Sequence, residues 1–585
     1  MSTATAYLEE RFGMKQVQEQ DTALRGILHT EDYETFVIRS DVGDVLHLFE
    51  GATLAHRCLP GDHVRWEEEK GHCALELSDQ HPLLVGTLHV TQPARYGMTR
   101  RKVPLYRFTP YDERYPPFIV GSSEKDKSRN MLCLVQYEDW PSSSPLPRGS
   151  LQQVIGRSGD MEAERKAICH QVCPWKYPTI PFHPTPVPSS CSRTTRRTLT
   201  GYTFHIDPAG CQDVDDVITL EPLDTEEGRW RVIVTISDVA AYVEECSAVD
   251  IMASLISQTV YDTRGSVLHR MLPREYSEGV CSLLPGRPKW GVSMETVWDG
   301  VTLSPPIWYE SVVNVQRSYT YEAFQEEESI YRTIVRDVAM YLSHEPAEVE
   351  KDAHRWVEQL MVYYNKEAGK MLREVGQGIL RRHAPAERER VEAYRQHLPE
   401  WSFLAMSSAE YCLADDLDTF HSGLQTDAYT HVTSPIRRYA DIVNQRMVKE
   451  FIHYHANPMS SSLPRMIVPV TMYDLNQRER AIRQFERDLT FLEAIQTGQT
   501  RVVARLVDKE EQKGPSGPEY RVQFYVPAWK KRITATYPKV EEDVIATKDG
   551  TETRTLCLYK EVEVQCAVQW SLRNWKKRLM VQWLS

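Results

Sequence analysis

The sequence has no run of ~18 or more apolar residues, the length a membrane-spanning helix needs, so no such helix is expected. Its opening residues, MSTATAYLEERFGMKQ, carry no basic stretch followed by an apolar one and do not read as a secretory signal. Basic charge is not in excess: 69 Lys and Arg stand against 82 Asp and Glu, a formal net charge of −13. That excludes a uniformly basic nucleic-acid binder but not a nucleic-acid enzyme, whose binding field is local. No repeat of fixed period is apparent. Cysteine is sparse and scattered, with 12 residues mostly in apolar contexts such as Cys133 in NMLCLV and Cys281 in GVCSLL. Buried thiols suit a reducing, intracellular compartment, with the cytoplasm expected before the nucleus. One cluster, Cys169, His170, Cys173, His183 and Cys191, matches no common zinc-finger spacing and reads as unconnected thiols.

The 585 residues, 41% hydrophobic and 26% charged, fit a globular chain of more than one domain. Residues 26–67 alternate as short strands (ETFVIRS, DVLHLFEG, then a Pro-Gly-Asp turn before HVRWEEE). Residues 84–156 repeat the pattern in VGTLHV, PLYRFTP, PFIVGS and LCLVQYEDW. About five short strands per unit, with aromatics between basic residues, suit small β-barrels of the OB kind. A proline-dense connector, CPWKYPTIPFHPTPVPSS, cannot be helical. The centre mixes strands with charged, helix-rich stretches over 346–375 and 475–497. The end returns to β character in RVVARLVD, RVQFYVPAW, RITATY and EVEVQCAVQW, with EEQKGPSGPEY read as a loop.

Two segments carry chemistry. The first is TFHIDPAGCQDVDDVITLE, in which Asp207, Asp213, Asp215 and Asp216 crowd between two strand-like runs. Pro208 biases Asp207 toward an extended backbone, and an extended Asp-Val-Asp sends Asp213 and Asp215 the same way. Asp216 then approaches from the adjoining turn. Four carboxylates this close either spread into water or share a divalent cation, and oxygen-only ligation is what Mg²⁺ prefers, with Mn²⁺ as its chemical substitute. The bland reading is an acidic turn; an EF-hand is excluded, because Gly is missing at its sixth position and Glu at its twelfth.

The second segment is YTHVTSPIRRYADIVNQR. Thr433 or Ser434 is a suitable N-cap and Pro435 fits a first helical position, so a helix is expected from Pro435. Arg437 and Arg438 then fall in its first turn, against the helix dipole, which calls for an anionic partner such as phosphate. An Arg437–Asp441 bridge across one turn is the competing account, and it leaves Arg438 unexplained.

HIDPAGCQDVDD and YTHVTSPIRRYAD together resemble the two signature segments of the ribonuclease II family of 3′→5′ exoribonucleases. VTISDVAAYV, RMLPREYSEGVCSLLPG, SYTYEAFQ, VEQLMVYYNKEAGKML and HSGLQTDAYTH look similar in the same order. The resemblance implies a multidomain α+β protein. Its layout would be cold-shock-like OB domains at 20–83 and 84–172, a linker at 173–192, an RNB catalytic domain at 193–498 and an RNA-binding OB barrel at 499–585. It implies Mg²⁺-dependent, processive hydrolysis of single-stranded RNA to nucleoside 5′-monophosphates.

On this resemblance Asp207, Asp213, Asp215 and Asp216 match the metal-binding aspartates, with Asp215 also catalytic. Arg437 matches the arginine on the scissile phosphate, and Tyr321 looks like the active-site tyrosine. Tyr261 resembles the tyrosine stacked on the 3′-terminal base, and Arg438 and His431 join the RNA-contacting set. The chain departs from the family pattern in a longer stretch between Tyr261 and Met271, with Arg270 where proline is common. Gln445 stands where histidine is frequent, and Glu358-Gln359 where two glutamates are frequent. The rival reading is an RNA-binding protein of the same fold with a dead site; a DNA-directed nuclease ranks below both.

Overall fold

The computed structural model describes residues 24–584 apart from 41–42, 79–80, 93–95, 176, 178–181, 188–195, 225–227, 398–403, 405, 457–469, 499, 515–516, 530, 548–551 and 570–578. The chain divides into two compact units, Met1–Pro174 with Ala481–Ser585, and Trp175–Arg480.

In the first unit three sheets repeat one order. Strands β1 (Arg25–Thr30), β2 (Thr35–Arg39), β3 (Val45–Glu50), β4 (His63–Glu67) and β5 (His72–Leu77) run β3-β2-β1-β4-β5. Then β6 (Leu84–Leu88), β7 (Leu105–Pro110), β8 (Phe118–Gly121), β9 (Met131–Asp139) and β10 (Arg148–Arg157) close as β10-β8-β7-β6-β9. The closure comes from a parallel pairing of β10 with β8, and a three-strand meander closed this way is OB topology. Helix α1 (Met161–Val172), capped by Asp160, follows. Gly86 lies where a Cβ would meet the Thr109 carbonyl oxygen at 2.3 Å, so only glycine lets β6 and β7 approach this closely.

The C-terminal sheet is built on β22 (Arg501–Gly514), β23 (Gly517–Val526), β24 (Lys531–Glu541), β27 (Glu561–Val568) and β28 (Leu579–Trp583), with a small extra hairpin beyond β24. The expected loop EEQKGPSGPEY is instead mostly strand: β22 and β23 stay paired out to Gly514↔Gly517. Alternating charged residues mislead here. They form cross-strand ion pairs on a solvated ribbon, as Arg521 does with Glu510.

The second unit is layered. Its sheet runs β11-β18-β17-β14-β13-β12-β19, where β11 is Arg197–Thr198, β12 Tyr202–Ile206, β13 Asp216–Asp224, β14 Arg229–Ser237, β17 Lys289–Trp298, β18 Ile307–Val313 and β19 Arg317–Tyr319. Period-two alternation feeds two cores. Ile218, Val232 and Val234 face the helical side with Trp356 and Tyr364, while Val217 and Ile233 pack with Leu199, Val214 and Leu283. The expected helix over 346–375 breaks into Pro346–Val349 and Ala353–Val375, because Asp352 caps the longer one by accepting the His354 N–H at 2.9 Å. The stretch expected at 475–497 is the helix Met472–Gln496. The described part of the proline-dense connector has neither helix nor strand. Tyr177 anchors it by donating to the Met271 carbonyl at 2.8 Å.

Candidate active site

The aspartates sit at the joint between β12 and β13, whose strands are antiparallel neighbours. Asp207 directly follows β12, and its N–H donates to the Tyr319 carbonyl at 3.1 Å, continuing the parallel pairing with β19. His205, two residues earlier and so on the same face of the strand, places Nδ1 2.8 Å from Asp207 Oδ2 and Nε2 2.7 Å from Ser318 Oγ. The loop then turns at Cys211, whose N–H bonds the Pro208 carbonyl. Val214, fully buried, plugs the core below. Its N–H donates to Ser282 Oγ at 3.0 Å and its carbonyl accepts the Leu283 N–H at 2.9 Å. This pinned valine fixes the two aspartates flanking it.

Asp213 Oδ2 accepts the Tyr261 hydroxyl at 3.0 Å. Asp215 is 5% exposed; Oδ1 accepts the Ile436 N–H at 2.9 Å and Oδ2 lies 3.4 Å from Arg437 Nε. Burial pushes its carboxyl up to about 7, against the pull of Arg437 and the Ile436 amide and with help from Asp441 and Asp213. Asp216 is the first residue of β13 and not part of a turn, as the sequence suggested. Its carboxyl is pushed well above the usual range by desolvation and then by the charges of Asp207 and Asp215. Arg437 only partly relieves it.

The arginine segment differs from its expected form. The helix begins at Tyr439, not at Pro435, and runs to Ala456. Residues 435–437 are a turn, with the Ser434 carbonyl accepting the N–H groups of Arg437 and Arg438. The cause is tertiary pairing. Thr259 N–H donates to the Arg437 carbonyl, Tyr439 N–H donates to the Ser257 carbonyl, both at 2.9 Å, and Gln258 bridges Arg438 as an isolated β-pair. Extended pairing with 257–259 outcompetes the first helical turn.

The ion pairing shifts accordingly. Asp441 Oδ1, fully buried, accepts both the Ser434 N–H at 2.7 Å and Arg438 Nη2 at 2.9 Å. The expected Arg437–Asp441 bridge is therefore an Arg438–Asp441 bridge. Arg437 is the arginine turned to the aspartates, with 48% of its side chain exposed.

Tyr321 opens a short helix, Tyr321–Gln325, capped by Thr320. Its ring stacks on His354 at 3.8 Å. Its hydroxyl is held protonated by burial and then by the charges of Asp216 and Asp207. His431 sits edge-on to Tyr411 and Tyr429, with Nδ1 3.2 Å from the Tyr411 hydroxyl. Burial, then Arg438, Arg381 and Arg437, push it well below the ordinary histidine value, so it is neutral.

Sequence reading missed the supporting residues. His205 was legible from the period-two spacing to Asp207. Asn365 is buried; its Oδ1 accepts the Val432 N–H and its Nδ2 donates to Thr433 Oγ1. Gln445 takes the place of the frequent histidine, accepting the Ala240 N–H and donating to the Ser237 carbonyl. Asn444, fully buried, accepts the Ile379 N–H and donates to Thr430 Oγ1 and the Ile379 and His431 carbonyls. Replacing Asn444 with Ala strands several of these groups, so Asn444→Ala should cost about 2–4 kcal/mol of unfolding free energy. Denaturant melts of both proteins measure it.

Among the described residues no three His, Cys, Asp or Glu side chains converge as a ready metal cage. Of the cysteine–histidine cluster, Cys169 is partly buried and Cys173 buried, and Cys191 lies outside the described residues. The aspartates instead hold internal partners (His205, Tyr261, the Ile436 amide and Arg437). Their donor chemistry, four carboxylates with Asp216 destabilised by burial and then by its neighbours' charge, fits a hard divalent cation.

Residues 196–331 and 328–454 match the RNB domain family, and residues 105–172 match the Dis3-like cold-shock domain 2. Among curated proteins, the human exosome complex exonuclease RRP44 is 23% identical over 428 residues, 58% of this chain and 44% of that protein. Ribonuclease R of Aquifex aeolicus is 25% identical over 398 residues, 54% of this chain and 56% of that one. The chain thus spans about half the length of the curated relatives it matches.

Among solved structures, Mycoplasma genitalium RNase R in complex with ribose-methylated single-stranded RNA superposes at a TM-score of 0.67, with 17% identity over 96% of this chain and all of that one. Yeast Ssd1, a pseudonuclease, superposes at 0.57, with 17% identity over 92% of this chain and 82% of that one. The architecture is that of OB-type domains joined to an RNB domain. Residues 196–454 thus carry an RNB domain and residues 105–172 a Dis3-like cold-shock domain, the pairing that the resemblance to the ribonuclease II family implies.

Proposed function

We propose that the protein is a divalent-metal-dependent exoribonuclease that degrades single-stranded RNA processively from its 3′ end to nucleoside 5′-monophosphates. The observation that carries this reading is that all four aspartates are present and that Arg437 reaches across to Asp215 from 222 residues downstream. Asp207, Asp213, Asp215 and Asp216 would hold Mg²⁺, or Mn²⁺ in its place. Such an ion supplies Lewis-acid activation of the phosphate ester and a more acidic water.

The chain's own residues do the rest. Arg437, solvent-open at one end and fixed at the other, stabilises charge that builds on the phosphate oxygens. The Tyr321 hydroxyl, kept protonated by burial and then by the charges of Asp216 and Asp207, donates a hydrogen bond there. Tyr261 offers a ring for the terminal base, a contact that tolerates any sequence. Neutral His431 contributes a ring edge and no charge, and Arg438 acts through Asp441 to shape the turn. Discrimination against DNA would come from contacts to the 2′-OH.

The likeness to yeast Ssd1 gives the inactive reading an observation of its own. An RNA labelled at its 5′ end decides between them. With Mg²⁺ it should shorten progressively, and with EDTA it should stay intact. Full-length RNA that is bound and never shortened would establish the inactive binder, and internal fragments of random length would sink the exonuclease reading. We propose an intracellular, reducing location on the strength of the buried thiols such as Cys133 and Cys281.

A further inference from the structure

We propose that Tyr261 has a second task besides offering its ring to a base: its hydroxyl orients Asp213 as a metal ligand. The hairpin that carries Tyr261 thereby ties the aspartate loop to the arginine turn. This inference rests on the metal-dependent reading of the aspartates.

Tyr261 ends a two-residue strand, Val260–Tyr261, paired with Val267–His269. The residues just before it, 257–259, are the ones hydrogen-bonded to 437–439. The Thr259 side chain also accepts the Met271 N–H at 3.1 Å, and His269 Nε2 lies 2.8 Å from the Trp175 carbonyl. The hairpin is thus held on three sides, and its tyrosine hydroxyl is delivered to one carboxylate oxygen, Asp213 Oδ2. The other oxygen, Oδ1, meets only the Cys211 thiol at 3.7 Å, a weak donor. The division is informative: one oxygen is held by a neutral donor and the other is left for a cation.

A carboxylate so fixed has already lost the rotamer freedom that ligation would cost it, and partners of this kind usually set metal affinity by about 10–100-fold. A base stack alone would need the ring and not the hydroxyl. The aligned O–H is what a purely aromatic role leaves unexplained.

The test separates ring from hydroxyl in the full chain without RNA. Mn²⁺ is titrated and the free ion is followed by electron paramagnetic resonance for the parent, Tyr261→Phe, Tyr261→Ala and Asp213→Asn. Tyr261→Phe should weaken Mn²⁺ binding by about 10–100-fold, and Tyr261→Ala by the same factor, since both lose the hydroxyl. RNA affinity, measured separately in EDTA, should fall further for Ala than for Phe. The single-turnover rate of Tyr261→Phe should recover at high Mn²⁺, whereas that of Tyr261→Ala should not. Thermal unfolding checks that each variant is folded.

If Tyr261→Phe titrates like the parent while Asp213→Asn does not, the hydroxyl has no such task and the inference falls alone. If Asp213→Asn itself leaves the titration unmoved, the metal reading falls and takes the inference with it.

Discussion

Asp215→Asn should abolish hydrolysis, lowering the single-turnover rate on RNA by at least about 10³-fold, while the protein remains folded and still binds single-stranded RNA in EDTA. The amide oxygen can still accept the Ile436 N–H, so the contact at 2.9 Å that closes the site is kept. What disappears is the negative charge. It is the group that holds Arg437, and it is a quarter of the carboxylate set offered to a cation. Burial pushes this carboxyl up to about 7. Replacing it with a neutral side chain is therefore no insult to packing, and thermal stability should hold or rise. RNA affinity in EDTA should stay level or increase, because one charge that repels phosphate is gone. A variant that cuts RNA at the parental rate would place the chemistry elsewhere.

The two adjacent arginines should fail in different ways. Arg437→Ala should lower the rate by about 10²–10³-fold, the scale for removing one donor to a developing oxyanion. Its effect on stability should be small, because the side chain is 48% exposed. Arg438→Ala removes the partner of a fully buried carboxylate, Asp441. It should destabilise the protein by about 3–5 kcal/mol, the usual result of leaving one half of a buried ion pair behind. Rate measurements paired with denaturant melts give two columns in which the arginines exchange places. Equal catalytic losses in two equally stable variants would show that Arg438 also reaches the phosphate.

The composition of the site could be read from the chain, and its assembly could not. Short-range rules grouped Asp207, Asp213, Asp215 and Asp216 as candidates, because spacing along a strand and proline's restriction of its neighbour are local, whereas only the family resemblance set Arg437 apart from Arg438. They went astray at Pro435. An N-cap and a favourable first helical residue are worth about 1 kcal/mol, and the two backbone hydrogen bonds made with 257–259 contribute about 1 kcal/mol each. Those residues lie far upstream, so nothing near Pro435 announces them. Asp441 illustrates the same limit. A helix from Pro435 pairs it with Arg437 four residues earlier, whereas the real turn rotates Arg438 into that place. In the β-rich parts, alternation located most strands. Charge alternation in the ribbon 509–520 was mistaken for a loop, because a ribbon with both faces in solvent carries no apolar stripe.

One contact also bears on how the chain folds. Asp215 Oδ1 binds the Ile436 amide, 221 residues away. Closing so long a loop is entropically slow, and contacts of such high sequence separation tend to form after the local ones have condensed. During synthesis the four aspartates leave the ribosome long before Arg437 exists. A nascent or truncated chain ending short of Ile436 therefore has the acidic half of the site without its basic half. On the proposed function, full activity would therefore wait for nearly complete folding of the central unit.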